Sequence, residues 1–222
     1  METALTLKIG MKLKDSRHNL VLVLMLLLAL PSACRKHDEN VLPDLGQTSP
    51  LNQPGGPPAT AEAYALYSSL YRITTGEPLA FAAYSATDIP QVDGMCLKPT
   101  NDEEKQMTDA FQLANRQTHS WQRNFSLKQG YALLSRKETE AALRCVQQRG
   151  EGMGCDKYHG LKVVRFLGMP GFNADHTRAL VSVIKSCGSD CGSGGIFVAR
   201  KTAAGWDHED PTPFTQNCSW AY

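Results

Sequence analysis

The clearest β-strand patterns lie in the C-terminal half of the chain. Ala179–Ser186 (ALVSVIKS) and Gly195–Lys201 (GIFVARK) hold most of the local β-branched and aromatic residues, which favour strands. Leu161–Leu167 predicts a strand before them, and Trp206 opens a short last strand after a turn. We therefore expect an antiparallel meander of about four strands.

Two regions between these strands predict turns. Met169-Pro170-Gly171 matches a type II turn, in which the glycine adopts a positive φ, and Asn173 or Asp175 can close an Asx-turn just after it. The loop from Cys187 to Gly195 is rich in glycine, which lets the chain fold back into a hairpin. Its glycines are Gly188, Gly192, Gly194 and Gly195.

Three helices are predicted upstream of the strands. Ala61–Ile73 has apolar residues at helical spacing, and Thr60 can cap its start. Asn101 is followed by three acidic residues, which suit the positive end of a helix dipole. Ser135 with Glu138 predicts the capping box of a third helix.

These elements together predict an α+β fold, with about three helices packed on one face of the meander. Pro78–Pro99 shows no regular pattern and is expected to be irregular. Residues 61–222 are expected to form a single domain.

The N-terminal segment has the pattern of a signal peptide. Lys12, Lys14 and Arg17 precede the apolar run Leu20–Leu30, which has eleven residues, whereas a membrane-spanning helix needs about 20. Met11 begins a complete signal sequence by itself, so either Met1 or Met11 can be the true start. We expect residues 1–33 to be a signal peptide and the protein to be exported.

The cleavage region, Leu30 to Cys34 (LPSAC), resembles the lipobox of bacterial lipoproteins, although Pro31 departs from its usual aliphatic residue. The resemblance implies cleavage before Cys34 and a lipid on its sulfur, which would anchor the protein to a membrane at the periplasmic face of the bacterial envelope. The alternative is an ordinary signal peptide cut nearby. Residues 34–60 contain many prolines and few apolar residues, so they are expected to form a disordered tether.

The cysteine count supports both export and the lipid. The chain has seven cysteines, and assigning Cys34 to the lipid leaves six, an even number in an oxidising compartment. Six cysteines allow 15 sets of three disulfides, so the sequence does not fix the pairing. Proximity favours Cys187–Cys191 and Cys145–Cys155, and elimination then leaves Cys96–Cys218.

The strand and loop motifs also carry a resemblance. The stretch from Gly168 to Trp206 resembles a domain of uncharacterised exported bacterial proteins that has a G-F-N turn, an A-L-V strand, a C-G-x-x-C-G-x-G hairpin loop and a tryptophan after the next turn. The matching residues are Gly171, Phe172, Asn173, Ala179, Leu180, Val181, Cys187, Gly188, Cys191, Gly192, Gly194 and Trp206. The resemblance supports the hairpin and implies no activity.

Candidate chemistry in the sequence is sparse. The formal net charge of +1 and the lack of a basic run argue against a nucleic-acid partner. A zinc site that combines Cys187 and Cys191 with a histidine is disfavoured, because export favours oxidised sulfur. We therefore expect neither a metal nor a cofactor. His159, His176 and Asp175 are the candidate catalytic residues, since a histidine oriented by a carboxylate can act as a base.

These observations favour a non-enzymatic binding or accessory lipoprotein of the cell envelope, which could have an envelope protein as partner. One alternative is an envelope hydrolase with His159 or His176 as base and Asp175 orienting it. A second is a small-ligand carrier with a pocket lined by Tyr64, Trp121 and Phe172.

Overall fold

The computed structural model of the protein describes residues 56–72, 78–87, 96–149, 154–188 and 191–221. The predicted signal peptide, the lipid attachment at Cys34 and most of the predicted tether lie outside these residues. The helices and strands are α1 (Ala61–Leu70), β1 (Leu79–Ala82), α2 (Asp102–Ala114), β2 (Tyr131–Leu134), α3 (Arg136–Gln147), a 3-10 helix (Asp156–Tyr158), β3 (Val164–Leu167), β4 (Gly171–Phe172), β5 (Arg178–Ser186), β6 (Gly192–Thr202), β7 (Gly205–His208) and β8 (Ser219–Ala221).

Side chains cap the three α-helices as the sequence predicts. Thr60 Oγ1 accepts from Ala63 N at the start of α1. Asn101 Oδ1 accepts from a backbone N–H in the first turn of α2. At α3 the Ser135 hydroxyl accepts from Glu138 N, and the Glu138 carboxylate accepts from Ser135 N at 3.0 Å. Each cap satisfies backbone donors that the first helical turn leaves unpaired.

The described strands form one eight-stranded mixed sheet. Its order is β2-β1-β3-β5-β6-β7, with β4 paired to β5 beyond the end of β3, and β8 paired to β6. β1 lies parallel to both β2 and β3, and the other pairs are antiparallel. The predicted meander of about four antiparallel strands is therefore too small, because it lacks the parallel strands β1 and β2 and the short strands β4 and β8.

Helices cover both faces of this sheet. Side chains alternate along β5 and β6, so Val181 and Ala199 belong to a core formed with α1, whereas Leu180 and Val198 belong to a core formed with α2. Helix α3 covers the same side as α2, over β1 and β2. The prediction that all helices lie on one face is wrong, and the four consecutive buried residues 179–182 reflect this double coverage.

Two glycine predictions also need correction. Gly171 does not adopt the positive φ of a type II turn but begins β4, where an added Cβ would lie 2.5 Å from the backbone oxygen of Met107 in α2. Gly192, Gly194 and Gly195 lie within β6 rather than in the hairpin loop. Gly194 is needed there because the indole of Trp220, in β8, lies directly over it. Both glycines therefore permit close packing rather than a turn.

Ordered structure begins before the predicted domain boundary. Ala59 N donates to Ser120 O at 3.0 Å, and Ser120 N donates to Pro57 O at 3.0 Å. The last five residues of the predicted tether, residues 56–60, are thus part of the fold. Across the described ranges, no helix is both long enough and apolar enough to cross a membrane.

Candidate functional site

The structure forms three disulfides, and they join the pairs that the sequence analysis favours. Cys96–Cys218, Cys145–Cys155 and Cys187–Cys191 have Cα–Cα distances of 5.0, 5.4 and 5.2 Å. Cys96–Cys218 links residues 122 apart in sequence and ties the segment before α2 to the segment before β8. Disulfides of this kind indicate an oxidising compartment.

The three disulfides differ sharply in exposure. The first two pairs are buried, with exposed fractions of 1–7% for all four cysteines. In contrast, Cys187 is half-buried and Cys191 is exposed. The Cys187–Cys191 disulfide is thus in contact with solvent, at the tip of the β5–β6 hairpin.

A cleft of about 640 Å³ opens beside this exposed disulfide. Three separate segments build it: the last turn of α3, the chain that follows the 3-10 helix, and the β5–β6 hairpin. The described lining residues are Cys145, Val146, Gln147, Arg149, Tyr158, His159, Gly160, Leu161, Lys162, Cys187 and Cys191.

Backbone hydrogen bonds shape the hairpin tip, and a glycine allows it to pack closely against α3. Cys187 N donates to Cys191 O at 3.0 Å, and Ser186 pairs with Gly192 in the β5–β6 ladder. Gly188 has φ +128, and a Cβ added there would lie 2.9 Å from Cβ of Gln147. A glycine is required at this position by both its φ and its close contact with the helix.

The charged side chains in the described lining of the cleft are basic. Arg149 and Lys162 lie on its wall with His159 between them in sequence, and none of the described lining residues is acidic. Basic side chains with many N–H donors favour carboxylate or phosphate groups as ligands. The arrangement can therefore attract and orient an anionic group next to the Cys187–Cys191 disulfide.

His176 lies elsewhere, in the loop between β4 and β5. Its Nδ1 is 2.6 Å from Glu62 Oε2, and its ring stacks on Phe172 with centroids 5.1 Å apart. Asp175 does not orient this histidine, because its Oδ1 accepts from Thr177 N and Oγ1 instead. The bond from Thr177 N to Asp175 spans two residues, so the predicted Asx-turn forms at Asp175. Asn173 Oδ1 instead accepts from Thr177 N and Arg178 N, which are four and five residues further on.

The two candidate histidines are far apart. His159 lines the cleft beside Cys187, at the end of β5, whereas His176 precedes the start of that strand. The nine residues of β5 span about 30 Å. His159 and His176 therefore cannot converge on one substrate across the sheet, and no hydroxyl or thiol of a described residue is hydrogen-bonded to His176.

The residues proposed for a ligand-carrier pocket are packed instead. Tyr64 and Trp121 are 5% and 3% exposed and make an edge-to-face contact with centroids 5.3 Å apart. Phe172 is half-buried, lies against Trp206 and stacks on His176. These side chains fill the α1 side of the core, so they do not form a carrier pocket.

One buried charge lies apart from the cleft. Arg165 in β3 is 7% exposed, and its Nε and Nη1 make no hydrogen bond within the described part of the chain. Its guanidinium carbon is 5.9 Å from the ring centroid of Tyr71. Burial raises the pKa of the Tyr71 phenol to about 12, although the Arg165 charge opposes this shift.

Arg149 and Lys162 were not identified from the sequence as site residues. They come from segments that the cysteine and strand patterns do not connect, so no motif spacing reveals them. Within the described ranges, His, Cys, Asp and Glu side chains do not gather in any group of three that could hold a metal ion.

Searches of protein-family models, curated proteins and solved structures found no match to this chain.

Proposed function

We propose that this chain is an exported, lipid-anchored binding module of the bacterial envelope whose cleft takes the anionic group of a ligand or partner. The single observation that carries the binding role is the cleft of about 640 Å³, which has Arg149, His159 and Lys162 on its described wall. Its volume lies within the range of small-molecule sites.

The apolar part of the lining suits the rest of such a ligand. Val146, Tyr158 and Leu161 lie beside the cations, so an amphipathic molecule or a peptide segment could bury apolar atoms while its carboxylate or phosphate meets the charges.

Placement in the envelope has separate support. The signal-peptide pattern and the lipobox-like LPSAC motif favour export and a lipid on Cys34. Three disulfides favour an oxidising compartment. A tethered module in the periplasm would present its cleft to soluble anions and to neighbouring envelope proteins.

The binding role is testable with NMR titration of the full disulfide-bonded domain. Succinate and inorganic phosphate serve as anionic probes, and succinamide serves as the neutral analogue of succinate. We expect the amide signals of His159, Gly160 and Leu161 to shift with the anions and to remain unchanged with succinamide. If these signals stay unchanged with both anions, the proposal is wrong.

A matched pair of variants separates the cleft from general charge attraction. Arg149→Gln with Lys162→Gln removes two positive charges from the cleft, and Arg123→Gln with Lys128→Gln removes two from exposed sites outside its lining. In the first variant, the dissociation constant of whichever anion shifts the cleft signals should rise about tenfold, which is equivalent to about 1.4 kcal/mol. Equal weakening in both variants would show only non-specific attraction.

The lipid is tested by the mass of the mature N-terminus after expression in bacteria. We expect a diacylated or triacylated cysteine at position 34, and release of the Cys34→Ala variant from the membrane fraction. An unmodified N-terminus near this position would indicate an ordinary signal peptide and would leave the binding cleft unaffected.

A further inference from the structure

The structure assigns a second role to the same region: we infer that Cys187–Cys191 is a thiol–disulfide exchange site, whereas the other two disulfides are structural. This inference goes beyond the proposed anion binding and does not require it. It rests on three features of the hairpin tip. These are the exposure of Cys191, the contacts other than the S–S bond that hold the tip in shape, and the basic residues in the adjoining cleft.

Exposure makes the bond accessible to an attacking thiolate. Cys191 is exposed and Cys187 is half-buried, whereas Cys96, Cys145, Cys155 and Cys218 are all at least 93% buried. Exchange requires a thiolate to approach one sulfur along the S–S axis, so Cys191, the more exposed of the two residues, is the expected target. Cys187 is the better shielded sulfur and is suited to be the leaving thiolate.

The hairpin does not depend on the S–S bond for its shape. The β5–β6 ladder continues to the pair Ser186 and Gly192, and Cys187 N donates to Cys191 O. The tip also packs on Gln147 through Gly188. These contacts would keep the two thiols adjacent after reduction, so the bond can open and close without unfolding the domain.

The local charge favours the thiolate form. Arg149 and Lys162 line the same cleft as Cys187 and Cys191, and positive neighbours lower the pKa of a cysteine thiol. A more stable thiolate is a better leaving group, which makes the disulfide easier to reduce. The cleft thus resembles the partly exposed, electropositive surroundings in which exchange-active cysteines occur.

The exchange reaction is balanced with a dithiol as the partner. One partner thiolate attacks Cys191 Sγ, the Cys187–Cys191 bond breaks, and its electron pair leaves with Cys187 Sγ, which takes up a proton. The second partner thiolate then attacks the partner sulfur of the mixed disulfide and releases Cys191, which takes up the second proton. The partner dithiol is oxidised by two electrons to a disulfide, and a more oxidising disulfide reverses both steps on this protein.

The test is equilibration of the intact, disulfide-bonded protein in glutathione buffers of graded ratio, followed by alkylation and peptide mass spectrometry. The quantity varied is the squared concentration of reduced glutathione divided by the concentration of oxidised glutathione. We expect Cys187–Cys191 to be half-reduced at a value of this quotient at least about 100-fold lower than the value that half-reduces either of the other two disulfides. For a two-electron couple this corresponds to about 60 mV. Reduction of all three pairs at the same ratio would overturn the inference.

Variants in which one of the two cysteines is replaced test which sulfur is attacked. Cys187→Ser leaves the exposed Cys191 and should form a mixed disulfide with oxidised glutathione several-fold faster than Cys191→Ser does. Cys187→Ser with Cys191→Ser should retain the circular dichroism spectrum and cooperative unfolding of the wild type. Loss of the fold in this double variant would show that the bond is structural, whether or not the cleft binds anions.

Discussion

The side chain of Asn115 bonds to both backbone polar groups of Met169. Asn115 Nδ2 donates to Met169 O at 2.8 Å, and Asn115 Oδ1 accepts from Met169 N at 2.8 Å. Both residues are buried, with exposed fractions of 6% and 5%. The side-chain amide thus satisfies both backbone groups of Met169 and fixes the chain between β3 and β4 to the end of α2.

We expect Asn115→Ala to lower the free energy of unfolding by about 2–4 kcal/mol, because it leaves the buried N–H and C=O of Met169 without partners. Denaturant unfolding measures this change. The control is Leu113→Ala on the same helix, whose side chain is 65% exposed and whose loss should change stability by no more than about 0.5 kcal/mol. A similar effect of both substitutions would contradict the role of the amide.

Two glycines in neighbouring parts of the sheet should respond differently to alanine. In Gly171→Ala the new methyl group would meet the backbone of α2, which cannot move aside without shifting the helix. We expect this variant to lose about 1–3 kcal/mol of stability. In Gly195→Ala the nearest atom would be 3.4 Å away, so the variant should fold normally, as thermal unfolding of the pair would show.

Glu138 should make the stability of α3 depend on pH. Burial raises its pKa, but hydrogen bonds from Lys157 and Ser135 together with the Lys157 charge outweigh burial, so the pKa lies below its ordinary value. The charged form is therefore favoured by folding: its contribution is complete above the unfolded pKa, near pH 4.5, and is lost as the pH falls through the lower folded pKa.

The comparison variant for this pH effect is Glu138→Gln. It should be less stable than the wild type at neutral pH, and the difference in unfolding free energy should shrink as the pH falls from about 4.5 towards 2. Denaturant unfolding at a series of pH values gives both curves. Parallel curves over this range would contradict a depressed pKa at Glu138.

Two arginines on adjacent strands should differ in the size of their contribution to stability. Arg178 in β5 donates to Glu209 through Nε and Nη2, at 3.0 and 2.8 Å, and to Glu103 through Nη1 at 3.0 Å. Arg165 in β3 is more buried, yet its Nε and Nη1 have no hydrogen-bond partner within the described ranges. A buried polar group costs stability unless it is paired.

We expect Arg178→Met to lower the free energy of unfolding by about 1–3 kcal/mol, because it breaks three charge-assisted bonds to Glu209 and Glu103. Arg165→Met should cost less stability than Arg178→Met, because Nε and Nη1 of Arg165 have no hydrogen-bond partner within the described ranges and only its interaction with the Tyr71 phenol is lost. Equilibrium unfolding of both variants tests the contrast. A large loss at Arg165 would show that its charge is satisfied and structural.

Local signals made parts of the fold predictable. The caps at Thr60, Asn101 and Ser135 were predicted correctly, because a side chain and a backbone N–H two or three residues away determine them. The strands β5 and β6 were predicted to within a few residues, since their β-branched content is a property of each segment alone. The Asx-turn at Asp175 was predictable for the same reason.

Strands β1 and β2 were missed because nothing local distinguishes them. Leu79–Ala82 is a four-residue run with two alanines, buried on both faces, so it lacks both the alternation and the β-branched residues of a typical strand signal. It pairs in parallel with Tyr131–Leu134, about fifty residues further along the chain. Parallel pairs of this kind need long connections, which a local pattern does not show.

The candidate site was only half predictable. The sequence favoured the Cys187–Cys191 pair because only three residues lie between the two cysteines and glycines lie beside and just after them. It gave no indication that the last turn of α3 and the chain around His159 lie beside that pair. Tertiary packing places Arg149 and Lys162 in the same cleft as the two cysteines.

The sequence by itself thus determined the export pattern, the even cysteine count, the helix caps and the central hairpin, all of which depend on residues close together in the chain. The tertiary structure decided the mixed sheet, the coverage of both its faces and the cationic cleft beside the exposed disulfide. The physical reason is that these features depend on contacts between distant segments, where burial and close backbone approach outweigh local preference.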